Sequence, residues 1–207
     1  MSKVLLINGS PNEHGCTYTA LREVADTLEK HGIETEIMYL GRDAINDCMA
    51  CMACRTTGRC AIKDGVNELA GRLDTLDGIV IGSPVNVAGP TARLEAFLNR
   101  LVYSAKAPLA GKVGASVVSC RRGGATAAFD RLNKYFTISN MIVAGSQYWN
   151  QVHGHTPEDV RKDEEGLQTM RTLGENIAWM LECIGSGDAA GVKRPEYETP
   201  TPTHFIR

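Results

Sequence analysis

The sequence predicts an α/β fold, a three-layer sandwich in which helices cover both faces of a parallel sheet. Short apolar or β-branched runs, each ending near Gly, Ser or Cys, alternate with stretches whose apolar residues recur at helical spacing. The strand runs are apolar at nearly every position, which is typical of parallel strands buried on both faces by crossover helices. These observations together favour one α/β domain.

Five strands are predicted from runs rich in Val, Ile and Leu. They are KVLLING at residues 3–9, TEIMYL at 35–40, DGIVIGS at 77–83, KVGASVVSC at 112–120 and NMIVAGS at 140–146. Each run is bounded by residues that favour turns, so each predicts a short strand and not a long helix.

Five helices are predicted between and after these strands, because apolar residues there fall on one helix face. The residues are Leu21, Val24, Ala25 and Leu28; Val66, Leu69, Ala70 and Leu73; Leu94, Phe97, Leu98 and Leu101; Phe129, Leu132 and Phe136; and Met170, Leu173, Ile177, Met180, Leu181 and Ile184. Residues 189–207 are rich in Pro and Thr and have no such period. We therefore expect a domain over residues 1–188 and an extended C-terminal arm that docks on a neighbour or stays mobile.

Composition limits the function further. The chain has 207 residues, 43% apolar and 22% charged, as in an ordinary globular domain. Its net charge of −2 includes no basic excess, so we expect neither nucleic acid nor a membrane surface as a partner. No apolar run approaches the roughly 20 residues of a membrane span, and the N-terminus reads as a strand and not a signal peptide, so we expect a cytoplasmic protein.

The turn GSPNEHGCT at residues 9–17 leads from the first strand into a helix, where free N–H groups and the helix dipole favour an anion. It is not a P-loop, because Cys16 stands where the lysine would be, and it has no G-x-G-x-x-G fingerprint. The turn predicts a phosphomonoester site formed by Ser10, Asn12, Thr17 and the amides around Cys16. The alternative is that Ser10 and Thr17 only cap the helix.

Two later loops also follow strands at the edge of the sheet where open α/β folds bind ligands. GSPVNVAGP at residues 82–90 cannot be helical before its last proline, so its stiff backbone could face a flat heterocycle. SCRRGGATAAF at residues 119–129 places two glycines before a helix, which permits close approach of a ligand. Ordinary βα connections are the alternative for both loops.

Four of the seven cysteines lie in one segment, CMACMACRTTGRC at residues 48–60, with the spacing C-x2-C-x2-C-x5-C. Structural zinc sites usually draw on two Cys pairs a dozen or more residues apart, whereas a compact run suits an iron-sulfur cubane. Three interpretations stay open for Cys48, Cys51, Cys54 and Cys60: a [4Fe-4S] cluster, free thiols or a disulfide, and zinc.

The three loops together resemble those of the flavodoxin-like superfamily, and most closely those of its NAD(P)H-dependent FMN reductases. GSPNEHGCT is similar to that family's GSPR..GNT element, and GSPV at residues 82–85 is similar to its SPVY element. The cysteine run followed by IKDG at residues 62–65 resembles the iron-sulfur flavoproteins, a subset that carries a [4Fe-4S] cluster. The resemblance extends to the C-terminal THFIR and implies a five-stranded sheet of order 2-1-3-4-5.

The resemblance also implies a cofactor, partners and residue roles. It implies FMN as cofactor, NAD(P)H as co-substrate, a small-molecule or redox-protein electron acceptor, and assembly as a homodimer or homotetramer. By resemblance, the phosphate is bound by Ser10, Asn12, Cys16 and Thr17, the ring is lined by Pro84, Val85, Asn86 and Val87, and its far side is bordered by Gly123 and Gly124. We nominate no acid–base residue, because a flavin carries out hydride transfer itself. A pure electron carrier and a cluster-free FMN or quinone reductase are the alternatives.

Overall fold

The computed structural model describes residues 2–105 and 107–206, in which strands and helices alternate as the sequence predicts. The strands are β1 (Lys3–Asn8), β2 (Glu34–Tyr39), β3 (Gly78–Pro84), β4 (Val113–Cys120), β5 (Ile142–Val143) and β6 (Gln151–His153). The helices are α1 (Cys16–Lys30), α2 (Ala53–Thr57), α3 (Gly65–Ala70), α4 (Ala92–Ala105), α5 (Ala125–Ile138), α6 (Pro157–Val160) and α7 (Glu164–Ala189). Two short 3-10 turns lie at Leu73–Thr75 and Ala107–Leu109.

The strands form one parallel sheet in the order β2-β1-β3-β4-β5, which confirms the predicted flavodoxin-like arrangement. Strand β1 pairs on both sides, with Leu6 opposite Ile37 of β2 and Val80 of β3. A parallel strand returns to the sheet only by a crossover, and the connecting helices supply the outer layers.

The prediction of one continuous fifth strand over residues 140–146 is wrong. β5 is only two residues long, and β6 takes up the same edge further along, so that the two segments pair with opposite ends of β4. Between them the Ser146 hydroxyl lies 2.7 Å from both the Tyr148 carbonyl oxygen and the Asn150 side-chain oxygen. These local hydrogen bonds turn the chain out of the sheet before it returns.

Alternate residues of the strands supply two separate cores. On one face, Leu6 and Val80 pack with residues of α1 and α7, while on the other Leu5 and Ile81 pack with residues of α3, α4 and α5. Each fully buried Leu or Ile side chain contributes roughly 1.5–3 kcal/mol. Among the helices of the described residues, none is both long and apolar enough to cross a membrane.

The topology gathers three loops at one edge of the sheet. Residues 9–15 follow β1, residues 85–91 follow β3 and residues 121–124 follow β4, so all three leave the carboxyl ends of neighbouring strands. A Cβ added to Gly9 would lie 2.7 Å from the Leu94 side chain, so only glycine lets the first loop pack this closely on α4. The sheet order thus brings together the three loops that the sequence singled out.

Candidate functional site

The first loop presents an uncapped helix end. Helix α1 has Gly15 as its N-cap residue and no side-chain cap, so its leading amide groups are available to an anion. The loop before it is held by its own polar groups: the Ser10 amide donates to Asn8 Oδ1 at 3.1 Å, and the Asn12 amide donates to Ser10 Oγ at 3.0 Å. The Ser10 hydroxyl therefore shapes the loop and does not cap the helix.

Thr17 and Cys16 lie in the first turn of α1. The buried hydroxyls of Thr17 and Ser119 are 2.9 Å apart, which ties the helix start to the end of β4. Burial raises the pKa of the Cys16 thiol, and the carboxylates of Asp159 and Glu158 raise it further, so the thiol stays neutral. A neutral sulfur beside this helix end does not repel a phosphate.

The second loop is a tight turn and not the open stretch that the sequence suggested. The amides of Asn86 and Gly89 each donate to the other's carbonyl, at 2.8 and 2.9 Å. The two residues between them, Val87 and Ala88, have left-handed φ values of 50° and 59°. This conformation costs roughly 1–2 kcal/mol for each non-glycine residue, and the cost is unusual for a β-branched one. Val87 is fully exposed at the tip, so no packing explains the strain.

Three buried hydroxyl residues that sequence reasoning missed, Ser83, Thr91 and Ser119, connect the loops. The Thr91 hydroxyl donates to the Gly9 carbonyl at 2.8 Å, and the Thr91 amide donates to Ser83 Oγ at 3.0 Å. The Ser119 carbonyl accepts from the Val85 amide at 2.9 Å. The signal for all three residues is a small hydroxyl side chain, at the end of a buried strand for Ser83 and Ser119 and just before a helix for Thr91.

The third loop packs directly against the second because Gly124 has no side chain. Gly124 has a φ of 88°, and a Cβ there would lie 2.9 Å from Ala88 Cα and 3.0 Å from a Val85 methyl. At Gly123 an added Cβ would meet no heavy atom within 4 Å, so this glycine borders open space. Arg121 and the arginine after it are exposed.

All four clustered cysteines line one cavity of about 660 Å³. Cys48 and Cys51 are exposed, Cys54 and Cys60 are half-buried, and all four are free thiols. Across residues 2–105 and 107–206, no three His, Cys, Asp or Glu side chains come together closely enough to hold a metal ion. The structure thus brings the four thiols to one cavity without converging them on a point.

The end of the cysteine segment is held by a buried guanidinium. Arg100 of α4 is 1% exposed, and its two terminal nitrogens donate to the Asp64 carboxylate at 2.6 and 2.7 Å. Its Nε donates to Cys60 Sγ at 3.2 Å, and it also reaches the carbonyls of Asn46 and Ile62. The ion pair raises the pKa of Arg100 and lowers that of Asp64, so both groups stay charged.

The start of the segment is held by a chain of hydrogen bonds through Asn99, the residue that precedes Arg100 in α4. The Tyr135 hydroxyl donates to Asn99 Oδ1 at 2.8 Å, Asn99 Nδ2 donates to Asp47 Oδ1 at 3.0 Å, and that oxygen accepts the Cys48 amide at 2.7 Å. Burial raises the pKa of Tyr135 to about 12, which keeps the hydroxyl a donor. Neither Asn99 nor Arg100 was singled out from sequence, although a charged residue among the apolar positions of a helix signals a buried partner.

Comparison with known proteins agrees with this geometry. The model of the family described as NADPH-dependent FMN reductase matches residues 2–156. An iron-sulfur flavoprotein of Methanocaldococcus jannaschii is 34% identical over 190 residues, covering 88% of this chain and 98% of the relative.

Solved structures share the fold. RosB, solved with 8-demethyl-8-formylriboflavin-5'-phosphate, superposes with a TM-score of 0.71 at 15% identity, over 100% of this chain and 94% of RosB. A flavodoxin, the WrbA-like protein of Agrobacterium tumefaciens, superposes with a TM-score of 0.62 at 17% identity, over 88% of this chain and 99% of that one. The chain belongs to the NADPH-dependent FMN reductase family, in its iron-sulfur flavoprotein-like branch.

Proposed function

We propose that the chain is an FMN oxidoreductase that takes electrons from NAD(P)H or a reduced carrier and passes them to a small acceptor or a redox protein through a [4Fe-4S] cluster. The observation that carries the proposal is the presence of both sites in one chain: an uncapped helix end among three loops, and four free thiols around one cavity. The relative named an iron-sulfur flavoprotein supports the second half.

The first loop fits the phosphate of FMN. Its amides and the dipole of α1 favour a dianion, and an added Cβ at Gly15 would crowd Asn12 at 3.0 Å. We propose that Ser10, Asn12, Cys16 and Thr17 bind this phosphate.

The other two loops fit the ring. We propose that residues 84–87 lie along one side of the isoalloxazine, with Gly123 and Gly124 at its far side. The Asn86 amide is already paired within its turn, so the exposed backbone of Val87 and Ala88 is the part of the second loop left to face the ring. Bound FMN supplies hydride acceptance and single-electron release, while the chain orients it and limits access of water.

The cysteine cavity fits a cluster by its donor set. Four thiols around about 660 Å³ match the ligands and the room that a cubane needs, whereas a zinc ion requires sulfurs that converge at about 2.3 Å. We propose Cys48, Cys51, Cys54 and Cys60 as the ligands. The buried Arg100 and Asn99 hold the two ends of the segment, so the ligands are borne on a fixed frame.

The cluster is tested by anaerobic purification with iron, sulfide and flavin analysis. We expect one FMN, four iron and four sulfide per chain, in line with the stoichiometry of a [4Fe-4S] cluster. Cys51→Ser should lose iron and keep FMN, while Cys183→Ser, a change at an exposed thiol on α7, should keep both. Protein purified without iron would refute the cluster. So would a Cys51→Ser variant that keeps as much iron as Cys183→Ser.

The electron donor is tested by stopped-flow mixing with NADH and with NADPH. Rapid bleaching of the flavin absorbance supports the reductase. Reduction by a small reduced protein or dithionite, but by neither nicotinamide, would replace the reductase with an electron carrier. A preparation that quenches no FMN fluorescence at any concentration would remove the flavin assignment for this chain.

A further inference from the structure

Among the described residues, Arg100 has the largest side chain that is less than 2% exposed. It lies on the wall of the cysteine cavity. Its terminal nitrogens are taken up by Asp64, which leaves Nε as the group that faces sulfur. The Nε–H to Cys60 Sγ distance of 3.2 Å between heavy atoms is short for a bond to sulfur. The ion pair uses only the terminal nitrogens, so the Cys60 sulfur is the acceptor of the remaining buried Nε–H.

The ion pair also limits what the guanidinium can do at a distance. Because the Asp64 carboxylate offsets the positive charge, the field of the pair beyond its immediate neighbours is weak. What remains is one directed N–H dipole on one ligand sulfur, from a side chain that is 1% exposed. A hydrogen bond to a ligand sulfur stabilises the reduced, more negative form of an iron-sulfur cluster.

We propose that Arg100 is a positioning residue that holds the Cys60 sulfur through its Nε–H and thereby raises the reduction potential of the cluster. The inference rests on the cluster of the proposed function and names the residue that regulates it. In each transfer one electron enters the cluster from the reduced flavin and the same electron leaves to the acceptor. The N–H···S bond neither forms nor breaks in that step; it is stronger while the electron is held.

Arg131 provides a matched control on the same cavity. Its Nε is paired with Glu95 at 2.6 Å and a terminal nitrogen donates to the Tyr135 hydroxyl at 2.9 Å. In the part of the chain that the structure describes, Arg131 donates to no cysteine. The Tyr135 hydroxyl that it contacts gives its own proton to Asn99, so the hydrogen bonds that lead to Cys48 do not depend on the Arg131 donor. Replacing each arginine by lysine keeps the charge and removes the planar fork, so the two variants differ in the bond to sulfur.

The first test is a redox titration of the cluster, followed by electron paramagnetic resonance, on anaerobic holoprotein with measured iron content. We expect R100K to be reduced at a more negative potential than the wild type and R131K to be reduced at the wild-type potential. Equal potentials in all three proteins, each with a full complement of iron, would overturn the inference. So would equal shifts in R100K and R131K, because a shift common to both cannot come from Cys60.

The second test does not require R100K to fold. Wild-type protein is labelled with ¹⁵N in arginine alone, reduced, and studied by electron spin echo envelope modulation. We expect a nitrogen coupling that changes from ¹⁴N to ¹⁵N on labelling and persists in labelled R131K. If the cluster is intact and the nitrogen modulation does not change with the label, the role of Arg100 is refuted while the proposed cluster stands. Protein that carries no iron refutes the proposed cluster, and the inference with it.

Discussion

Two adjacent glycines provide the sharpest test of how the second and third loops fit together. In Gly124→Ala, the residue must hold a φ of 88°, which costs roughly 1–2 kcal/mol for a residue with a Cβ. The new methyl would also lie 2.9 Å from Ala88 Cα, a backbone atom that cannot rotate away. Overpacking of this kind costs roughly 1–3 kcal/mol. The two effects together predict a loss of about 2–5 kcal/mol in unfolding free energy.

Gly123→Ala is the control, because its methyl meets no heavy atom within 4 Å and its φ lies outside the left-handed region. Urea unfolding of the flavin-free proteins, followed by circular dichroism, should show the loss in the first variant and less than about 0.5 kcal/mol in the second. Equal stabilities would refute the reasoning. FMN titration then separates binding from folding: if the ring lies against Gly123, that variant keeps its stability and loses FMN affinity.

Three further predictions concern the ion pairs and the phosphate site. Asp64→Asn leaves the buried Arg100 charge unpaired, and because Asp64 is 34% exposed we expect a loss of roughly 2–3 kcal/mol in urea unfolding, less than the ~3–5 kcal/mol of a fully buried pair. Glu95→Gln breaks the more exposed pair with Arg131 and should lower the unfolding free energy by under about 1 kcal/mol. Equal losses in Asp64→Asn and Glu95→Gln would contradict the conclusion that the Arg100–Asp64 pair is the more stabilising one. Arg100 lowers the pKa of Asp64 below its ordinary 3.8, so the contribution of this pair to stability is complete above about pH 4 and is lost as the pH falls through the folded-state pKa. Wild-type unfolding midpoints should therefore fall more steeply than those of Asp64→Asn below that pH, and parallel curves would argue against the pair. Thr17→Val removes a hydroxyl from the proposed phosphate site and should weaken FMN binding about tenfold or more in fluorescence titration, since a hydrogen bond to a charged group contributes roughly 1.5–3 kcal/mol. The same hydroxyl lies 2.9 Å from Ser119 Oγ, so Ser119→Ala, which removes this contact and keeps the Thr17 hydroxyl, is the control. An unchanged affinity, or equal losses in the two variants, would exclude that hydroxyl as a phosphate ligand.

The parts of the fold that could be predicted are those set by neighbours in sequence. Continuous apolar runs predict the buried strands, and a few adjacent residues predict the turn before α1. The fifth strand was predicted too long because Ser146 forms local hydrogen bonds that an apolar count does not register. The contacts of Thr17 with Ser119 and of Arg100 with Asp64 join residues 102 and 36 positions apart, and no local pattern encodes such partners.

Helix α4 connects the two candidate sites, and this connection explains why Arg100 is buried. At its N-terminal end, Thr91 joins the first loop to strand β3. It does so by hydrogen bonds to Gly9 of that loop and to Ser83 of that strand. About 12 Å further along the same helix, at its rise of 1.5 Å per residue, Asn99 and Arg100 hold the two ends of the cysteine segment. A single rigid element therefore sets the separation of the flavin loops from the thiols. The electron transfer proposed between the two sites would require that this separation stay constant while substrates come and go. A helix packed on the sheet by its apolar face meets that requirement better than a flexible loop.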